Sequence, residues 1–161
     1  MKRLLGSLAA LSLGLAAAGC NTDPAVFVEP SIQDPKADVA GGLLGVELSG
    51  SFVLALPRGA RAADASQVSL GDFEVVTPKD ESPIDPKPLP VEGDKTFPLT
   101  VAQDSDVVVH FTFDTGKEPL PPSTKGGLCA PGGVVLKGTI TDSLASSATP
   151  FVSDPFDPSG C

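Results

Sequence analysis

The stretch Val107-Val108-Val109-His110-Phe111-Thr112-Phe113-Asp114 decides the fold. Val107, Val109, Phe111 and Phe113 occupy the odd positions, while His110, Thr112 and Asp114 occupy the even ones. Successive side chains of an extended backbone point to opposite faces. The alternation therefore predicts a β-strand with one apolar face and one solvated face, not a helix. Such a strand is stable only when its apolar face is buried against another layer.

Working outward, the same period of two recurs along most of the chain. Before this strand, Val46, Leu48, Phe52, Leu54 and Leu56 share one parity, with Gly50 read as a bend or bulge. Val68 and Leu70 are followed by Phe73 and Val75, a change of parity near Gly71 that predicts a β-bulge. Phe97, Leu99 and Val101 alternate with polar or small residues, as do Val134, Leu136 and Ile140 around Gly138. Phe151-Val152 reads as a last short strand, and residues 58–65 as a turn of helix at most. Six to eight short strands, each with one apolar face, predict an all-β domain. An antiparallel two-sheet sandwich is the commonest solution and a small β-barrel the alternative. The alternation loosely resembles immunoglobulin-like or fibronectin-like modules.

Two loops interrupt the pattern. Residues 77–90, TPKDESPIDPKPLP, contain five prolines, and residues 118–127, EPLPPSTKGG, are similar. Proline lacks an N–H and fixes φ, so both are expected to be extended, semi-rigid surface segments. They read as covers for sheet edges or as docking segments for a partner.

The chain has eight Phe but no Tyr and no Trp. Flat rings with a polar edge supply most sugar-stacking platforms and interface anchors, so this composition disfavours a carbohydrate module. The single histidine, His110, sits on the polar face of its strand, and no G-x-S-x-G elbow or phosphate-cradling glycine loop accompanies it. Zinc needs clustered His and Cys ligands, which the sequence does not provide. Asp104, Asp106 and Asp142 are the candidate hard-oxygen ligands for calcium. No catalytic residue is assigned, no cofactor is expected, and the reading is non-enzymatic.

The N-terminus carries Lys2 and Arg3, an uncharged run from Leu4 to Ala18, then Gly19 and Cys20. Positive charge followed by about 15 apolar residues is the pattern of an export signal, too short to be a comfortable membrane span. Ala17-Ala18-Gly19-Cys20 resembles the lipobox of bacterial lipoproteins, with Ala17 standing where that family prefers Leu. The resemblance covers residues 1–20. It implies cleavage before Cys20, a diacylglyceryl group on its thiol and usually an acyl chain such as palmitate on the freed amine. Asn21, rather than Asp, implies sorting to the outer membrane by the rule of enteric members of the family.

Removal of residues 1–19 leaves 142 residues with nine Lys/Arg against 20 Asp/Glu, a net charge of −11. Such a surface gains nothing from phosphate pairing, which excludes nucleic acid as a partner. In an oxidising compartment the two remaining cysteines, Cys129 and Cys161, are expected to pair. Residues 20–42, with three prolines, are expected to form a lipidated tether with a first strand at 25–29. About 20 such residues reach roughly 65 Å when fully extended, and the sandwich would then occupy 43–161.

Small lipoproteins of bacteria with GC-rich genomes are similar, and some serve secretion, surface or gliding-motility assemblies. The resemblance thus implies an accessory or scaffold module of the cell envelope, with membrane and envelope-protein partners. The alternative is a module for calcium, glycan or a small apolar ligand.

Overall fold

The computed structural model describes residues 26–42, 44–61 and 64–161. Among the described residues nine strands form two antiparallel sheets packed face to face, a β-sandwich in which no barrel closes.

The first sheet has the order β1-β2-β7-β5, built from β1 (Ser31–Gly41), β2 (Val46–Arg58), β7 (Ser105–Asp114) and β5 (Val91–Gly93). The deciding stretch is β7, and Phe52 of β2 lies directly opposite Phe111. The second sheet contains β3 (Ser66–Leu70), β4 (Glu74–Val76), β6 (Leu99–Val101), β8 (Val135–Asp142) and β9 (Thr149–Val152). β3 and β4 follow one another along one side of β8, with β9 on the other side. Between them Gly71, Asp72 and Phe73 oppose only Gly138 and Thr139, which is the bulge expected at Gly71.

The core lies between the sheets. Phe52 stacks on Phe111 with ring centroids 5.0 Å apart, and both meet Phe73 from the opposite sheet, at 5.1 and 5.6 Å. Phe151 meets Phe73 edge-on at 5.9 Å. Leu54, Leu56, Val68, Val101, Val109 and Leu136 complete a fully buried centre. Phe has no polar atom to satisfy, so a Phe-only aromatic core avoids the partners that buried Tyr or Trp would need.

Four expectations are corrected. The segment 20–42 is not tether throughout: Val28 is buried and bridges Arg58, and Ser31–Gly41 is a full edge strand. Its alternation is hidden because Asp34 and Pro35 form a bulge opposite Phe52, moving the buried side from Ile32 to Ala37 and Val39. Pro35 is tolerated there because an edge strand leaves one row of its backbone groups without ladder partners. The expected strand at 25–29 reduces, over its described part, to the single bridge at Val28.

Secondly, β2 runs through Gly50 without a bend in its pairing. Glycine is required there by close packing, since a Cβ would stand 2.1 Å from the Lys36 carbonyl oxygen and 2.5 Å from the Phe113 ring. Thirdly, Arg58 is the buried end of β2 and not part of a helical turn. Fourthly, the 118–127 loop is not extended throughout. Pro122–Thr124 forms a 3-10 turn leading into a one-turn helix, α1 (Lys125–Leu128). Pro122 is compatible with a first helical position, where its missing N–H costs nothing, and Leu128 is drawn fully into the core.

Candidate functional site

The strands give the sandwich two chemically different ends. One end holds Val28, the β2–β3 connection, the β6–β7 turn and the β8–β9 turn. The other holds the β1–β2 hairpin, both proline-rich loops and the C-terminus. β2 spans 13 residues between the two ends, about 40 Å at the rise of a strand.

The first end is organised by two buried polar side chains. The Asp142 carboxylate accepts hydrogen bonds from the Val28 amide, the Ser66 hydroxyl and the Leu144 amide, each at 2.9 Å. It therefore joins the start of the folded body, the start of β3 and the β8–β9 turn. The Arg58 guanidinium donates to the carbonyl oxygens of Val101 at 2.9 Å and Val26 at 3.4 Å, and to that of Asp64. Strand ends leave carbonyls and amides unmatched, and a buried backbone group without a partner is costly. These two side chains supply the partners, and among the described residues no buried side-chain polar atom lacks one.

This geometry does not bring the three calcium candidates, Asp104, Asp106 and Asp142, into one cluster. Asp142 is buried and committed to structure, whereas Asp104 is exposed in the β6–β7 turn and Asp106 is exposed at the start of β7. Among the described residues no group of three or more potential ligands could hold a metal ion. His110 is exposed on the outer face of β7. Asp94 meets it through the backbone: the His110 amide donates to the Asp94 carboxylate, and the Asp94 amide donates to the His110 carbonyl, both at 3.0 Å.

At the second end the two proline-rich loops come together. Ile84, Leu89, Leu120 and Leu128 converge on Leu48 and Val75, so the loops carry their own apolar plug. Backbone bonds pin them to the sheets: Ile84 to Val75 at 2.9 Å, Leu89 to Phe73 at 2.7 Å, and Leu120 reciprocally with Val46 at 2.8 and 2.9 Å. Within the first loop the Thr77 hydroxyl donates to the Asp80 carboxylate. Together with the Ser82 amide it holds that carboxyl below the usual carboxylate range. Glu81 reaches Lys137 of β8 at 2.8 Å.

Between the loops lies an open groove of about 500 Å³, with Lys87, Pro88 and Pro90 on one bank and Lys117, Glu118 and Leu120 on the other. Its floor is the end of β7 and the residue that follows it, Thr112 to Thr115. Lys87 and Glu118 approach to 3.5 Å across it, but both are largely exposed, so the pair contributes little to stability. The eight Phe are all buried or half-buried, which leaves no exposed ring for a sugar to stack on. The loops were legible as loops, but nothing in their sequence signalled that they meet.

Cys129, just after α1, is joined to Cys161 with Cα atoms 5.5 Å apart. The cysteine read as lipidated, Cys20, lies outside the described residues, as does the whole expected signal 1–19. Among the described residues no helix is long and apolar enough to cross a membrane. Comparison with protein-family models, curated proteins and solved structures gave no match.

Proposed function

We propose that this protein is a lipoprotein of the bacterial cell envelope, tied to the outer membrane through Cys20, whose sandwich is a non-catalytic accessory module presenting its proline-rich end to a partner protein. The observation that carries this reading is the order of charge, apolar run, small residues and cysteine in residues 1–20.

The start of the body sharpens it. Cys20 is eight residues before Val28, the first buried one among the described residues, a span of about 28 Å at most. A domain on so short a leash stays close to the bilayer with its Asp142–Arg58 end inward. The groove and proline-rich loops then face away, about 40 Å further out. Two or three acyl chains on one cysteine hold such a protein far more durably than a single chain does. Rigid loops suit a docking role, because preordered segments lose little entropy on binding.

The experiment is metabolic labelling with palmitate and fractionation of wild type and Cys20→Ala. The expected result is a labelled, membrane-bound wild type and an unlabelled, released variant. A Cys20→Ala protein that stays with the membrane overturns the reading. The mixed polar and apolar groove favours a small-ligand module as the second reading. Protection of Thr112–Thr115 amides by a ligand, without a protein partner, would support it.

A further inference from the structure

A free sheet edge is a template for another strand, and proteins guard such edges. The outer edge of β1 is guarded by the chain's own C-terminus. Ser159 lies parallel to Asp38, with the Val39 amide donating to the Ser159 carbonyl at 2.8 Å and the Ser159 amide donating to the Ala37 carbonyl at 2.9 Å. The Ser159 hydroxyl sits 2.6 Å from the Asp38 carboxylate. Gly160 has φ +78°, and a Cβ there would stand 2.2 Å from the Val39 carbonyl oxygen, so only glycine lets the tail lie this close. The next residue, Cys161, is exposed and ends the strap in the bond to Cys129. The strap is thus a short parallel pairing with a covalent clasp at its tip.

We infer that residues 157–161 are a redox-released guard, and that the β1 edge beneath them receives β1 of a second copy of this chain. The choice of occupant rests on charge. The exposed residues Lys36 and Asp38 flank Ala37. In an antiparallel pairing with Ala37 opposite Ala37, each Lys36 faces an Asp38 of the other copy, and opposite charges across strands stabilise a pair. Release is ordinary thiol–disulfide exchange with a dithiol reductant. One reductant thiolate attacks a sulfur of the Cys129–Cys161 bond, giving a mixed disulfide. The second reductant thiolate resolves it, so the cysteines leave as two thiols and the reductant as a disulfide. Cys161 is exposed and Cys129 half-buried, so the bond lies at the molecule's surface. The inference does not depend on the lipid anchor.

The test uses the full chain in detergent, oxidised and treated with dithiothreitol, with amide hydrogen exchange and zero-length carbodiimide crosslinking of mixed isotope-labelled copies. On reduction at low concentration, Val39 exchange should rise at least tenfold while Phe52 and Phe111 stay protected. At high concentration Val39 protection should return, with an inter-copy Lys36–Asp38 crosslink. The Cys129→Ser/Cys161→Ser chain should behave as the reduced form. In that background Asp38→Lys should abolish the concentration-dependent protection, and Lys36→Asp/Asp38→Lys should restore it. Unchanged Val39 exchange, loss of Phe52 and Phe111 protection together with it, or an edge that opens without ever pairing would each overturn the inference.

Discussion

The two ends of the sandwich solve the same problem by different means. Where strands stop, their backbone groups and the edge of the core must be covered. At the Val28 end the connections β6–β7 and β8–β9 are short, three and six residues. Two buried polar side chains, Asp142 and Arg58, supply hydrogen bonds to strand ends there. At the other end the connections β4–β5 and β7–β8 run to 14 and 20 residues. They bring their own apolar residues, prolines and a disulfide. The difference teaches that elaboration is confined to one end. A short polar-clasped end is suited to sit against a surface, while a long-looped, covalently braced end is suited to present one.

The comparison can be broken from either side. Cys129→Ser removes the brace of the looped end. The closed loop has a sequence separation of 32, so the chain-entropy model gives a loss of about 3–4 kcal/mol. Denaturant unfolding of the oxidised variant checks it, and an unchanged midpoint would mean that the apolar plug alone holds that end. Asp142→Ala attacks the clasped end by leaving the Val28 amide and Ser66 hydroxyl without their acceptor. The expected cost is about 2–3 kcal/mol, and hydrogen exchange should show Val28 and Ser66 opening before Leu120. Equal opening at both ends would mean that the two ends are held alike.

Smaller effects sharpen it. Lys87→Ala deletes an exposed pair over the groove, so its stability change should stay below about 1 kcal/mol; calorimetry decides. The smallest effect is electrostatic. The Thr77 hydroxyl and Ser82 amide lower the Asp80 pKa in the folded state relative to the unfolded one. Their contribution is therefore present above the ordinary carboxylate pKa and fades as pH falls through the lowered folded value. An NMR titration of Asp80 in Thr77→Val should move that pKa back up.

Most of the fold was legible because β2, β7 and β8 repeat apolar residues at a period of two, and an apolar face repeated on several strands admits few architectures. What was hidden had local causes. β1 escaped because the Asp34-Pro35 bulge shifts its parity halfway along, so no period of two survives across it. β5 escaped because three residues are too few to show a period. Cys129 and Cys161 were legible as a pair by elimination. The role of Asp142 was not, because its partners Ser66 and Val28 lie 76 and 114 residues away and meet it only through strand register. The groove belongs to the same category: each proline-rich loop announced itself, but their contact depends on where β5 and β8 begin.

If Cys20 carries the proposed lipid anchor, the Asp142–Arg58 end faces the membrane and the groove faces away from it. This orientation is tested most directly by energy transfer from a fluorophore at residue 106 or residue 117 to headgroup-labelled lipid, in vesicles carrying the native lipidated protein. Strong transfer is expected from 106, at the Asp142–Arg58 end, and weak transfer from 117, on the groove. Equal transfer from both, or stronger transfer from 117, would contradict it.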